Sequence, residues 1–298
     1  MNPILERYSK LGENFDPETV LLKTSLRINT LKISKDDFVS RMNKKEVFLK
    51  KIPFTKNGYW FESPFPLSSS EEYLQGLFYI QEAASQLPVE VLLRDASYDK
   101  NSLIADVASA PGSKTTQLAQ MTENKVSILA LDSVSPRLDV LEYNLERMGV
   151  SSVVTMRKDS RFVDDINLRF DYILLDAPCS GNFCVEKDFF SKRSFADFNS
   201  KSLDQKKFLA SAIKVLKSGG VMVYSTCSLE PEENELVIDW LLDTFDDLEL
   251  LDTGLDMGDC GLTNVFGKEL NPQVSKTRRF WPHKTGTEGF FIAKIRKA

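Results

Sequence analysis

The feature that most constrains this fold is the alternation, from about residue 100 onward, of short apolar runs with segments of helical periodicity. Apolar runs that lack polar alternation are typical of strands buried on both faces, and their alternation with helices indicates βαβ units in a parallel sheet. We therefore predict an α/β doubly wound sheet. Its predicted strands are residues 102–107, 126–131, 153–156, 170–175 and 221–225.

The first 75 residues have a different pattern. They combine strand-like pieces at 25–31 and 59–61 with a helix over 35–43 that Ser34 caps. This part is mildly basic, with 12 Lys and Arg against 10 Asp and Glu, and a Ser- and Pro-containing connector follows at 63–70. We predict two domains, 1–74 and 75–298, with residues 79–93 forming a helix against the main sheet.

The numbers of basic and acidic residues limit the kinds of molecule that the protein is expected to bind. The chain has 38 Lys and Arg against 43 Asp and Glu, a formal net charge of −5, which excludes a uniformly basic nucleic-acid binder. Residues 271–298 nevertheless hold seven basic side chains against one acidic, a tail that can meet phosphates. The acidic stretch at 243–259 is predicted to be a solvated loop. No apolar run reaches the roughly 18 residues of a membrane span and no signal peptide begins the chain, so we expect a cytoplasmic protein.

The cysteines and histidine limit the possible sites. Four cysteines lie far apart without a Cys-x-x-Cys pair, so we expect neither a metal site nor a disulfide framework. The single histidine, His283, gives little basis for a Ser-His-Asp hydrolase. Cys184 and Cys260 are predicted to be inert core residues.

The first predicted strand ends in a tight turn that opens a helix, from Asp106 to Thr115. At the carboxyl edge of a parallel sheet, such a turn presents backbone amides to a ligand. A triphosphate loop needs glycines where Ala108 and Ser113 stand, and only Gly112 of a dinucleotide fingerprint is present. A turn with one glycine suits a ligand without a pyrophosphate, such as S-adenosylmethionine, although many such turns are purely structural. The candidate cofactor-binding residues of the turn are Ala108, Ser109, Ala110, Pro111, Gly112, Ser113 and Lys114.

Acidic residues follow the next three strands. Asp132 lies about 20 residues after the turn, where a carboxylate can accept the two hydroxyls of an adenosine ribose. Asp159 and Asp176 follow the third and fourth strands, so all three are expected to point into one crevice. Each can also be a helix N-cap, an interpretation that is about as strong as ligand binding for Asp159.

Two cysteines follow strands that should be neighbours in such a sheet. Cys179 comes after the fourth strand and Cys227 after the fifth, so we expect the two thiols side by side. A thiolate that adds to carbon 6 of cytosine turns carbon 5 into a nucleophile toward a sulfonium methyl group. Asp176 is placed to bond the edge of the base, and Cys179 is the candidate that helps to remove the carbon 5 proton. Lys114 is expected either to lower a thiol pKa or to balance Asp176.

These motifs occur in the order seen in a known family. The chain resembles the Sun-domain family of RNA cytosine carbon-5 methyltransferases, whose sheet is Rossmann-like and seven-stranded and binds S-adenosylmethionine. The matching segments are 25–32, 79–85, 105–115, 176–181, 224–228, 279–283 and 289–293, with Asp132, Arg137, Asn144, Arg147 and Gly149. Two departures stand out: Ala-Ser-Ala-Pro-Gly-Ser-Lys replaces Cys-Ala-Ala-Pro-Gly-Gly-Lys, and the segment after Asn182 lacks the usual Arg and Pro residues.

The resemblance implies roles for individual residues. It assigns the attack on carbon 6 to Cys227 and assistance in product release to Cys179. It implies that the turn from Ala108 to Lys114 holds the methyl donor together with Asp132, Arg137, Asp159 and Asp176, and that the small N-terminal α/β domain binds RNA. Asp176 would also touch the target base.

We therefore expect a monomeric RNA cytosine carbon-5 methyltransferase. The size of the chain slightly favours transfer RNA over ribosomal RNA as the substrate. One alternative is a non-catalytic RNA-binding or ribosome-assembly factor that retains the fold, and another is a methyltransferase acting on a protein or small molecule. Phe183 and Trp281 are expected either to stack on the base or to belong to the core.

Overall fold

The computed structural model describes residues 2–298, in which the strands form one four-stranded, one nine-stranded and one two-stranded sheet. The first part of the chain contains α1 (Pro3–Lys10), β1 (Ser25–Ile28), α2 (Lys35–Asn43), β2 (Phe48–Lys51), β3 (Gly58–Glu62), α3 (Glu71–Leu74) and β4 (Phe78–Ile80). The four strands form an antiparallel sheet in the order β2-β3-β1-β4, which we call the N-terminal sheet.

Helix α2 covers the N-terminal sheet. It begins where predicted, because the Ser34 side chain accepts a hydrogen bond of 3.1 Å from the backbone N–H of Asp37. Phe38 and Met42 lie one turn apart on its inner face and are fully buried with Leu26 and Ile28 of β1.

The segment predicted as one helix over 79–93 is divided instead. Residues 78–80 form strand β4, which pairs with β1, and the helix α4 begins only at Leu87. Pro88 lacks a backbone N–H and therefore fits the first turn of a helix better than its interior. The N-terminal sheet thus extends past residue 74, and the exact domain boundary stays a prediction.

The second part of the chain builds the main sheet and its covering helices. It contains α4 (Leu87–Leu92), β5 (Leu103–Asp106), α5 (Ser113–Met121), β6 (Ser127–Asp132), α6 (Ser135–Met148), β7 (Val153–Arg157), β8 (Phe170–Asp176), α7 (Phe189–Lys192), α8 (Phe195–Val215), β9 (Leu216–Thr226), α9 (Glu235–Thr244), β10 (Leu248–Leu251), β11 (Asp259–Cys260), β12 (Asn264–Val265), β13 (Lys268–Glu269), β14 (Arg278–Phe280), α10 (Pro282–Thr285) and β15 (Phe290–Lys297).

The main sheet has the order β11-β14-β15-β9-β8-β5-β6-β7, with β10 paired to β15. Strands β5 to β9 are parallel, whereas β15 is antiparallel to β9. The main sheet thus has nine strands where seven were predicted, because β11 extends it beyond β14 and β10 pairs with β15. The prediction of an α/β Rossmann-like sheet with a small N-terminal domain is confirmed.

Strand β9 is longer than its apolar run suggested. It begins at Leu216, directly after α8, so the helix ends before the predicted stop at Gly219 and Gly220. The register explains the difference: Leu216 pairs with Phe170 and Val221 with Tyr172, which leaves the two glycines in a bulge.

Two charged segments predicted as solvent-facing are part of the sheet. In the acidic stretch, Leu248 and Leu250 are buried and alternate with Glu249, so this segment forms β10 rather than a loop throughout. The basic tail supplies β14 and β15, and its Arg279 is fully buried against Glu235. The prediction of a phosphate-binding tail is therefore wrong for Arg279, whose charge is already paired inside the protein.

Helix α1 packs on the second part of the chain. Ile4 and Tyr8 form a buried cluster with Phe198 and Trp281, and Phe183 lies at its margin. Trp281 is therefore a core residue and cannot stack on a base. No helix within residues 2–298 is long and apolar enough to cross a membrane.

Buried hydrogen bonds join the N-terminal sheet to helices of the main sheet. The Arg27 guanidinium donates to Gln120 Oε1 at 2.9 Å, to Thr116 Oγ1 at 2.8 Å and to the Ser113 carbonyl at 2.7 Å, all on α5. Asn29 Nδ2 donates to the Met148 carbonyl at the end of α6, also at 2.8 Å. Since Arg27 and Asn29 are fully buried, these contacts fix the N-terminal sheet against the helix that begins at the turn.

Candidate active site

Two thiols meet at the carboxyl edge of the main sheet. Cys227 directly follows β9 and Cys179 lies three residues beyond β8, and Asp176 pairs with Ser225 across these parallel strands. The two sulfur atoms are 3.0 Å apart, so the predicted proximity of the thiols is confirmed. Both cysteines are free and partly buried.

The pKa of the Cys179 thiol is raised well above its usual value. The hydrogen bond to Cys227 is the largest cause, followed by burial, by the electrostatic influence of Cys227 and then by that of Glu233.

Asp176 lies beside the thiols and is held by two donors. Lys114 Nζ is 2.6 Å from Asp176 Oδ2, and Ser225 Oγ donates to Asp176 Oδ1 at 2.7 Å. Lys114 also donates to Ser85 Oγ at 3.0 Å and is almost fully buried, whereas 31% of the Asp176 side chain is exposed. Of the two roles expected for Lys114, the structure shows the balancing of Asp176, whose carboxylate remains accessible.

The turn before α5 adopts a conformation that requires glycine. Gly112 has a φ of 103° and caps α5, and a Cβ atom there would lie 2.8 Å from Leu141 Cδ1. Arg137 Nη2 donates to the Ala110 carbonyl at 2.6 Å, and Asn144 Nδ2 donates to the Pro111 carbonyl at 2.9 Å. Helix α6 thus holds the turn in place.

A cavity opens beside the turn and is lined by four of the eleven predicted cofactor residues, namely Ala108, Asp132, Arg137 and Asp159. Asp132 Oδ1 accepts the Val134 N–H at 3.0 Å, and Arg137 lies 3.4 Å from Oδ2. The residues lining the cavity include Val107, Ala108, Asp132, Arg137, Asp159, Pro178, Lys201, Asp204 and Phe208. Helix α8 therefore contributes three side chains that the sequence motifs did not indicate.

The remaining turn residues have other positions. Ser109, Ala110 and Gly112 are buried in the packing of the turn, Pro111 is exposed and Ser113 is half-buried. Asp159 caps a short 3₁₀ turn and forms an ion pair of 2.6 Å with Arg161, so the capping role left open for it is observed along with its place in the cavity wall.

Asp106 is a buried acceptor next to the turn. Its Oδ2 atom accepts the Thr115 hydroxyl at 2.7 Å, whereas Oδ1 has no hydrogen-bond partner in residues 2–298. Burial raises the pKa of this carboxyl to about 7. An unpartnered acceptor beside a cavity with further carboxylates fits a ligand that donates hydrogen bonds, such as the amino and hydroxyl groups of S-adenosylmethionine.

The sequence motifs missed the residues that tie the two cysteine loops together. Glu233 is fully buried, and its carboxylate accepts hydrogen bonds from Ser180 and Ser228, each of which directly follows a cysteine of the pair. Asn182 Nδ2 donates to the Cys227 carbonyl at 2.7 Å. The run of acidic residues after Cys227 was the only signal, and it does not distinguish a buried glutamate from an exposed one.

The two other cysteines lie outside this contact. Burial raises the pKa of Cys184 to about 12, which agrees with the inert role expected for it. Cys260 is exposed at β11, so the prediction that it belongs to the core is wrong. Its strand pairs only through two residues with the edge of β14, which leaves the side chain in solvent.

Comparison with known protein families gives matches to both parts of the chain. Residues 95–296 match the family described as 16S rRNA methyltransferase RsmB/F, and residues 8–83 match the N-terminal domain of 16S rRNA methyltransferase RsmF. Among curated proteins, ribosomal RNA small subunit methyltransferase F of Vibrio parahaemolyticus is 40% identical over 286 residues, and that of Escherichia coli is 39% identical over 290. These alignments cover 93% of this chain and 57% of each relative, so the chain spans little more than half their length.

Solved structures agree with the sequence matches. A methyltransferase homolog from Pyrococcus horikoshii superimposes with a TM-score of 0.85 at 39% identity and full coverage of both chains. NSun6 from the same organism, crystallised with SFG, gives a TM-score of 0.80 at 26% identity, covering 93% of this chain and 91% of that one. With a family match over 95–296 and the fold and paired thiols described above, this chain belongs to the RsmB/F family of 16S rRNA methyltransferases.

Proposed function

We propose that this chain transfers a methyl group from S-adenosylmethionine to carbon 5 of cytosine in the RNA of the small ribosomal subunit. The observation that carries the proposal is the pair of thiols 3.0 Å apart beside the accessible carboxylate of Asp176. The names of the curated relatives favour ribosomal RNA over the transfer RNA that the size of the chain suggested.

The cavity beside the turn is the proposed site for the methyl donor. Asp132 offers a carboxylate acceptor at the end of β6, and Ala108 and Asp159 line the space between the turn and α8. S-adenosylmethionine bound there supplies the methyl group. Arg137 joins this site to the turn through the Ala110 carbonyl.

Cys227 is the proposed nucleophile. Its sulfur forms a bond to carbon 6 of the cytosine, and the electron pair of the 5,6 double bond moves toward carbon 5 and the ring edge. Asp176 bonds the amino edge of the base, while the ammonium of Lys114 stabilises the negative charge that develops there. Because the ring must be approached from above carbon 6, the base has to leave its stack or lie in a loop.

Cys179 is the proposed group for release. After methylation, carbon 5 still carries its proton, and removal of that proton restores the double bond and expels the Cys227 sulfur. The contact of 3.0 Å between the sulfur atoms places Cys179 beside the atom that must leave.

The N-terminal part of the chain, which we place within residues 1–74, is proposed to bind RNA. A groove on its sheet is lined by Lys23 and Lys50 together with the aromatic side chains of Phe48, Trp60 and Phe61. Lys23 Nζ lies 5.2 Å from the Trp60 ring centroid. Basic side chains interleaved with aromatic rings suit a single strand, since the cations meet phosphates and the rings stack on bases.

Methyl transfer tests the proposal directly. The protein is incubated with a transcript of small-subunit ribosomal RNA and labelled S-adenosylmethionine, and the modified nucleoside is identified. Label at carbon 5 of cytosine supports the proposal, and binding of the donor without transfer would instead favour a non-catalytic RNA-binding or assembly factor. A transfer RNA transcript in a parallel reaction tests the choice of substrate.

Two cysteine variants test the assignment of roles. Cys179→Ala is expected to accumulate an RNA adduct that resists denaturation, because the adduct forms but is not released. Cys227→Ala should form none, and Cys184→Ala, which removes a thiol outside the pair, should behave as the native protein does. Accumulation of adduct by Cys227→Ala would reverse the two roles.

A further inference from the structure

Glu233 lies beneath the thiol pair and contacts the loops of both cysteines. Ser180 N–H donates to Glu233 Oε2 at 3.0 Å and Ser228 Oγ donates to Oε1 at 2.9 Å, while the Ser180 hydroxyl also donates to Oε1. Gln205 Nε2, from α8, donates to Oε2 at 2.9 Å. Since Ser180 and Ser228 each follow one cysteine of the pair, a single carboxylate fixes the spacing of the two loops.

The hydrogen bonds indicate that Glu233 is a carboxylate. All four contacts come from N–H or O–H groups that can donate, and an ionised carboxylate is a pure acceptor with room for four such bonds. Burial raises the pKa of Glu233, and these donors oppose that rise. Hydrogen bonds therefore stabilise the charge of Glu233, which forms no ion pair with a Lys or Arg side chain within residues 2–298.

The charge of Glu233 acts on the Cys179 thiol. It is among the causes that raise the pKa of Cys179, together with the contact to Cys227 and burial. The other ionisable groups near this point are Asp176 with its partner Lys114 on the solvent side, and Glu230 and Tyr224 on the inner side. The nearby cations already have other carboxylate partners: Lys114 pairs with Asp176, Arg7 with Glu232 and Glu230, and Arg279 with Glu235, so none of them cancels the effect of Glu233.

We propose that Glu233 is a positioning residue that divides the work between the two thiols: it fixes the cysteine loops in contact and keeps the proton of the pair on Cys179, so that Cys227 is the sulfur that attacks. This inference rests on the proposed function. It adds a residue that acts through the cysteines and touches neither the base nor the methyl donor.

The protons lost and gained in one round of methyl transfer agree with these different roles of Cys179 and Cys227. In the proposed cycle the proton of the pair starts on Cys179, and the Cys227 sulfur attacks as the thiolate. Bonding of the Cys227 sulfur to carbon 6 neutralises it, which removes the largest influence that holds the proton on Cys179. Cys179 then loses its proton to water, accepts the carbon 5 proton, and Cys227 leaves as a thiolate. One proton per methyl group is released to solvent, as replacing a C–H bond with a C–CH₃ bond from a sulfonium requires, and the resting state returns.

Alkylation of Cys179 tests the inference without RNA or methyl donor. In a Cys227→Ala background, the rate of reaction of Cys179 with iodoacetamide is measured against pH by peptide mass spectrometry. Glu233→Gln keeps the shape of the side chain and removes its charge, so the pKa of Cys179 should fall. A fall of one pKa unit raises the thiolate fraction at neutral pH about tenfold, and because a less basic thiolate is a weaker nucleophile, the alkylation rate should rise about threefold. Glu232→Gln, the same change at the neighbouring residue that pairs with Arg7, should leave the rate unchanged.

Turnover with Cys227 present gives the second measurement. Glu233→Gln should accumulate the denaturation-resistant RNA adduct, because a weaker base at Cys179 slows release, and Glu233→Asp, which restores the charge, should reduce that accumulation. Equal Cys179 alkylation in Glu233→Gln and Glu232→Gln would overturn the inference while leaving the proposed methyl transfer intact. Absence of methyl transfer by the native protein would contradict the proposed function. The alkylation rates would still show whether Glu233 raises the pKa of Cys179.

A third variant covers the case in which Glu233→Gln does not fold. Ser228→Ala removes one hydrogen bond to Glu233 and keeps the charge, so it loosens only the Cys227 loop. It should slow turnover, and the alkylation rate of Cys179 should change less than twofold. Native turnover by this variant would show that the carboxylate does not fix the loops and would overturn the positioning role.

Discussion

The ion pair between Arg279 and Glu235 allows a quantitative prediction about the free energy of unfolding. Both side chains are completely buried. Arg279 Nε donates to Glu235 Oε1 at 2.8 Å, Nη1 donates to the Leu229 carbonyl at 2.6 Å, and the second carboxylate oxygen accepts from Nη2. Glu235→Gln leaves the guanidinium buried without its counter-charge, and removing one partner of such a pair costs about 3 to 5 kcal/mol.

A matched exposed pair provides the control. Glu249 pairs with Arg296 on β10 and β15, where 41% and 47% of the two side chains are exposed. Glu249→Gln makes the same chemical change there and should cost less than about 1 kcal/mol, because water screens the charges and hydrates the arginine that remains. The two variants therefore differ in burial and not in the type of substitution.

Urea unfolding followed by circular dichroism at pH 7 gives the free energies of unfolding. A double variant, Glu235→Leu with Arg279→Met, removes both charges and should recover most of the stability that Glu235→Gln loses. A loss below about 1 kcal/mol for Glu235→Gln would refute the reasoning, as would a double variant no more stable than the single one.

Three further predictions concern the turn, the junction between the sheets and the thiols. Burial raises the pKa of Asp106 to about 7, so the folded chain keeps a proton that the unfolded chain loses near pH 4, and stability from this group is lost as the pH rises from about 4 to about 7. Between pH 5 and pH 7 this group should lower the free energy of unfolding by about 2 kcal/mol, and Asp106→Asn should remove that difference in urea unfolding at the two pH values; an unchanged difference would contradict the buried acid. Gly76→Ala should lower the melting temperature, because φ is +70° and a Cβ atom would lie 1.8 Å from the Arg147 carbonyl oxygen. Gly267 also has a positive φ but has open space around it, so Gly267→Ala measures the effect of positive φ alone. Equal falls in melting temperature for the two variants would show that the contact with Arg147 is unimportant. Diamide should link Cys179 to Cys227 in a disulfide that dithiothreitol reverses, and peptide mapping that finds both thiols free would contradict their contact.

The strands of the main sheet were predictable because burial on both faces leaves an uninterrupted apolar run. The same logic placed Cys179 and Cys227 together, since β8 and β9 are neighbours and the residues just beyond them must emerge at one edge. Local chemistry was sufficient there: a strand end, a turn and the spacing between them fix the position of a side chain.

Interactions between distant segments were not predictable. The sequence shows Arg279 in a basic tail, and only the fold shows that Glu235, 44 residues earlier, neutralises it. Glu233 likewise depends on Ser180, 53 residues away, and its neighbours in sequence are acidic residues that serve other contacts. The strand at residues 248–251 was not predicted because aspartates flank it, and a short strand with alternating burial resembles a polar loop in composition.

The contacts of Arg27 and Asn29 have a consequence for the ancestry of such chains. Arg27 bonds three residues of α5, and Asn29 bonds the end of α6, so the surface that contacts the N-terminal sheet is formed by the two helices that flank and hold the turn from Ala108 to Lys114. A recombination that exchanged only the first 83 residues would bury the Arg27 guanidinium and the Asn29 amide against helices that lack their hydrogen-bond acceptors. The two halves of the gene are thus expected to be inherited together and to diverge in step.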